Sequence, residues 1–86
     1  MTDRDGVMEA LADADALMAD GFEDALIGYS QQFTKTVALY DYDKCIKILM
    51  ERDGMTWEGA VEFFEFNVQG AWVGESTPAF ATLITL

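Results

Sequence analysis

Histidine is absent from this 86-residue chain, cysteine and proline each occur once, and lysine and arginine together number five. Each shortage excludes something. Without histidine and with a single cysteine, a conventional zinc site has almost no ligands. Cys-His and Ser-His nucleophile pairs are likewise excluded. Neither a Walker pattern nor GxGxxG occurs, so the usual phosphate cradles are missing. Cys45 has no partner for an internal disulfide. No apolar run approaches the roughly 18 residues of a membrane span. The start, Met-Thr-Asp-Arg-Asp, lacks a basic-then-apolar signal pattern. A reducing cytoplasm is the expected compartment.

The shortage of cations leaves sixteen carboxylates in large excess, for a net charge of −11. Such an excess steers a protein toward basic surfaces. It argues against direct contact with nucleic acid or anionic lipid, both of which need Lys and Arg. The composition is still not that of a disordered acidic tail, because 51% of the residues are hydrophobic. One domain over residues 1–86 is expected, with 1–19 an acidic helix free to fray and 20–86 the core.

The acidity is uneven. Residues 1–24 carry −7, residues 25–55 are neutral, and residues 56–86 carry −4 with no base at all.

Val7, Leu11, Ala14 and Met18 recur at helical spacing and predict a helix over 4–19, closed by Asp20-Gly21. Glu9 and Asp13 lie one turn apart on another face of it. Residues 25–30 and 36–42 read as strands of a hairpin turning at 31–35. Asp41 or Asp43 caps a second helix that Gly54 ends, with Asp43 and Lys47 paired four residues apart. Thr56 caps a third helix, and Met55 is placed to staple onto Ala60. Trp57, Ala60, Val61, Phe64, Val68, Ala71 and Trp72 gather on its broad apolar face. Glu58, Glu62, Glu65 and Gln69 form a stripe beside that face. A last strand, 79–85, adds to the hairpin. The fold expected is a small α+β domain of order α-β-β-α-α-β, with a three-stranded antiparallel sheet packed against helices.

The acidic residues invite metal readings. An EF-hand counted from Asp13 fails, because Leu17 and Met18 stand where a ligand and a glycine are needed. Asp41-Tyr-Asp43 reads as a helix cap before it reads as a metal pair. A paired-carboxylate glycosidase is not excluded by residue types, but no cleft is evident. The expectation is therefore no cofactor, no metal and no catalysis, with a small carboxylate-metal protein or enzyme as the remote alternative. Cys45 is a redox sensor only if it sits near a helix N-terminus; its apolar neighbours favour burial. Asn67, at the border of the apolar face, is expected to be buried and tied to backbone, with the Thr77-Pro78 turn as the candidate. Phe63 and Phe66 fall outside the main face. They either pack on the first or second helix or, if exposed, join a partner surface.

Three stretches carry a resemblance: Asp20-Gly-Phe-Glu-Asp-Ala-Leu-Ile-Gly-Tyr29, Tyr40-Asp-Tyr-Asp-Lys-Cys-Ile-Lys-Ile-Leu-Met-Glu-Arg-Asp-Gly-Met55 and Glu62-Phe-Phe-Glu-Phe-Asn-Val-Gln-Gly-Ala-Trp-Val-Gly-Glu-Ser-Thr-Pro78. From Asp20 onward the chain resembles a family of small, uncharacterised bacteriophage and prophage proteins, over about two-thirds of its length. The resemblance brings no catalytic mechanism to these residues. It implies a bacterial host and, by analogy with acidic anti-defence proteins such as anti-CRISPRs, an inhibitor that imitates nucleic acid. The expected partner is a basic, nucleic-acid-binding host protein or complex. Glu9, Asp13, Glu58, Glu62, Glu65, Phe63 and Phe66 are the candidate partner-binding residues. A monomer is expected; the alternative is a self-association module with an aromatic interface near Phe63, Phe66 and Trp72.

Overall fold

The computed structural model of the protein describes residues 3–71 and 74–84. Its elements run α1 (Arg4–Asp13), a 3-10 turn (Glu23–Ala25), β1 (Leu26–Gln32), β2 (Lys35–Asp41), α2 (Tyr42–Asp53), α3 (Trp57–Phe64), a π-helical turn (Glu65–Gln69) and β3 (Ala79–Ala81). No helix among the described residues is long and apolar enough to cross a membrane.

Helix α1 is shorter than its apolar spacing predicts. Asp3 caps its start by accepting from the Gly6 amide at 2.9 Å. At the other end Asp15 turns left-handed, with φ 53°. The Ala16 amide then reaches Leu11 O and the Asp15 amide reaches Ala12 O, the two bonds of a Schellman stop. Asp tolerates the left-handed region better than most residues, which allows that stop, although Asp13 and Asp15 then lie at the end where the helix dipole disfavours negative charge. Met18 therefore lies in a loop rather than on the helix face. That loop is held by the Arg52 guanidinium, which donates to Gly21 O at 2.8 Å and sits 5.6 Å from the Phe22 ring centre.

The hairpin is tighter than expected, with two residues, Phe33 and Thr34, between the strands. Phe33 adopts φ 57°. A side chain in that region costs about 1–2 kcal/mol, which is why glycine usually holds such a position. Strands β1 and β2 are antiparallel, with a bulge at Ile27.

Strand β3 pairs with β2 in parallel, so the sheet is mixed rather than antiparallel. The reason is topological. After β2 the chain passes through two helices and a long connection, and this crossover carries it back across the sheet, so that β3 enters running in the same direction as β2. Asp41 provides the α2 cap, accepting from the Lys44 amide. Lys47 pairs with Glu51 at 3.9 Å, not with Asp43.

The helices and loops bury one face of the sheet. Leu11, Phe22, Leu26, Ala38, Tyr40, Cys45, Ile46, Leu49, Ala60 and Phe64 form a single buried cluster with Ala25. Its one buried hydroxyl is satisfied: Tyr40 Oη accepts from the Ala19 amide at 2.8 Å, fastening the loop after α1 to the sheet. Phe64 meets Phe22, Tyr42 and Phe80 edge-to-face, with ring centres 5.5, 5.5 and 4.9 Å away.

Candidate functional site

Helix α3 begins where the sequence places it. Thr56 Oγ1 accepts from the Gly59 amide at 3.1 Å, and Glu58 adds a negative charge in the first turn, where the dipole favours it. The core takes only Ala60 and Phe64 from this helix, one turn apart, with Val61 and Val68 half-buried beside them. So narrow a seam leaves much apolar surface outside. Trp57, placed by its spacing on the broad apolar face, is 59% exposed, Phe63 40% and Phe66 80%. Trp72 lies outside the described residues.

The helix then changes pitch. Over Glu65–Gln69 it becomes π-helical, and the Gly70 amide reaches Glu65 O at 3.0 Å. A Cβ at position 70 would lie 2.7 Å from that oxygen, so the closing turn requires glycine. Single π turns often occur at functional positions. Asn67 belongs to this irregularity. It is exposed, not buried, and its Nδ2 donates to Phe63 O at 3.1 Å within the same helix. Asn67 also lines a cavity together with Thr77 and Pro78.

Trp57, Glu58, Val61, Glu62, Glu65 and Phe66 line an open groove of ≈ 450 Å³. Trp57 and Phe66 are its aromatic walls, Val61 gives an apolar surface, and the three carboxylates advance about 10 Å along the helix. A shallower groove beside it takes in Gly59, Glu62, Phe63, Phe66 and Asn67. Tyr42 Oη donates to Glu65 Oε2 at 3.1 Å, which orients one carboxylate. Partial burial raises the Tyr42 pKa, with the Glu65 hydrogen bond and charge adding to the effect. Among the described residues the ion pairs are Lys35–Glu75, Lys47–Glu51 and Arg52–Asp53. None neutralises Glu58, Glu62 or Glu65.

Five of the seven candidate residues thus come together: Glu58, Glu62, Phe63, Glu65 and Phe66. Glu9 and Asp13 do not join them. Both are exposed on α1, which packs along the hairpin and lines neither groove. Sequence reasoning missed Trp57 and Tyr42, the one because a continuous apolar face reads as core, the other because its partner is 23 residues away.

The remaining candidates are structural. Cys45 is fully buried, and burial, followed by the nearby Asp41 charge, pushes its thiol up to about 12. It stays protonated at neutral pH. Glu23 is held below the usual carboxylate range by hydrogen bonds from its own amide and from Gly21, and then by Arg52 and Arg4. Among the described residues no three Asp, Glu or Cys side chains converge as metal ligands would.

A separate apolar cavity of ≈ 530 Å³ lies between the loop after α1 and the π turn, walled by Leu17, Met18, Phe22, Val68, Pro78 and Phe80. No known family, curated protein or solved structure matches the chain.

Proposed function

We propose that this is a non-catalytic binding protein whose α3 face docks on a basic surface of another macromolecule. The observation that carries the reading is the groove between Trp57 and Phe66, where exposed aromatics and three carboxylates without cations share one helix face. A complementary occupant needs both positive charge and apolar surface. Arginine supplies both: its guanidinium stacks on an indole ring and forks onto a carboxylate. The net charge of −11 steers such a partner in from a distance.

Basic, arginine-bearing surfaces are the ones that otherwise hold nucleic acid, and carboxylates on a rigid helix can take the place of phosphates there. The resemblance over residues 20–78 to phage proteins supports the same direction. By analogy with acidic anti-defence proteins, the target is a nucleic-acid-binding machine of the bacterial host, inhibited in the host cytoplasm in the manner of an anti-CRISPR protein. The acidic α1 is then an accessory in long-range steering, and the α3 groove suffices as the contact. Self-association through the same aromatics is disfavoured, because a two-fold interface there would bring six glutamates together.

A titration with a helical peptide bearing arginine on one face and leucine at its margin tests the reading. Backbone amide shifts should move over residues 57–66 and stay fixed at Glu9 and Asp13. Shifts centred on α1, or none at all, would count against it.

A further inference from the structure

The groove on α3 leaves one exposed aromatic among the described residues unexplained, in the net-neutral middle segment of the chain. Phe33 is 97% exposed at the hairpin tip and holds a left-handed φ of 57°. Neither burial nor backbone preference places a phenyl ring there. Strain of this kind persists where a residue has a use. Beside it, on the sheet face away from the core, lies a further groove of ≈ 430 Å³. Val37 and Ala79 line its apolar part, Ser30 and Gln32 its polar side, and Phe33 its end. Lys35 and Glu75 pair at 3.5 Å beside it, both still largely exposed.

We propose that this outer sheet face is a self-association surface that takes a second copy of the chain. A two-fold contact is self-complementary: what one protomer presents, the other must accept. The patch has matched halves of that kind. It carries a protruding ring beside a concavity and one cation beside one anion. A two-fold axis brings each Phe33 toward the partner's groove and each Lys35 toward the partner's Glu75. Charge favours this location too. Between Leu26 and Asp41 the only charged side chains are Lys35 and Asp41, whereas the chain as a whole carries −11. Two copies meeting through α1 or α3 would oppose like charges; here they need not. The contact is small, so the dimer is a weak one that fills at high protein concentration.

The salt dependence has a distinctive sign. Screening weakens the general repulsion between two acidic protomers, so dimerisation strengthens as salt rises. Docking of a basic partner on α3 does the reverse, and the two sites can fail independently. Sedimentation equilibrium at submillimolar protein, in low and high salt, reads the difference for wild type and Phe33→Gly. We expect reversible dimers that increase with salt. Phe33→Gly should weaken them roughly thirtyfold, the loss typical of a central aromatic anchor, while its thermal midpoint stays level or rises as the strain is removed. Lys35→Glu should also weaken them, and Lys35→Glu with Glu75→Lys should restore them. A strict monomer at every salt concentration would overturn the proposal, as would dimers that Phe33→Gly leaves intact.

Discussion

Phe64→Ala is expected to cost about 3–5 kcal/mol of folding stability, the range for truncating a buried phenyl ring. Phe64 is fully buried and is the one ring in edge-to-face contact with three others. Those partners come from the loop before β1, from the start of α2 and from β3. Losing the ring therefore loosens the joins between helices, loop and sheet at once. A domain of this size has a total stability of about 4–13 kcal/mol. The variant should sit close to its unfolding threshold, which urea denaturation followed by circular dichroism will show. Phe64→Leu keeps most of the volume and should retain a folded transition. A Phe64→Ala midpoint within error of wild type would mean that the aromatic cluster does not organise the core.

Truncating Trp57 and Phe66 to alanine should do the opposite: little to stability and much to binding. Both rings are mostly exposed, and surface substitutions of that kind usually change stability within about 0.5 kcal/mol. At an interface, however, such residues are anchors, and each truncation of an anchor costs about 2 kcal/mol or more of binding. The double variant should therefore lose at least roughly a hundredfold in affinity for an arginine-bearing ligand, with an unchanged unfolding curve. Isothermal calorimetry beside thermal denaturation separates the two effects. A fall in stability with binding intact would return these rings to a packing role.

The parts of this protein that were legible in its sequence are those set by local chemistry. Asp41, Gly54 and Thr56 mark helix ends because a side-chain oxygen or a left-handed glycine satisfies orphan backbone groups within a few residues. Hydrophobic spacing located all three helices and the hairpin. What escaped depends on partners distant in sequence or on competing local preferences. The early stop of α1 turns on Asp15 adopting the left-handed conformation of a Schellman turn, which apolar periodicity does not record. The parallel pairing of β3 follows from a crossover of two helices, not from the strand's own residues. The glutamate stripe of α3 was readable at 100° per residue. The exposure of Trp57 beside it was not, because how many residues a core takes from a helix is settled by the elements opposite. The π turn at Glu65–Gln69 left only Gly70 as its trace, and that glycine also reads as an ordinary helix end.

The electrostatics of the α3 groove are tested most directly by titrating the arginine-bearing peptide into wild type and into Glu58→Gln/Glu62→Gln/Glu65→Gln at low and high salt. Exposed charges are screened within about 8–10 Å at physiological ionic strength. Wild-type affinity should fall by about tenfold or more between the two conditions. The glutamine variant should bind more weakly at low salt and respond little to the change. If the variant matches wild type at both salt concentrations, the three carboxylates do not recognise the partner and the account is wrong.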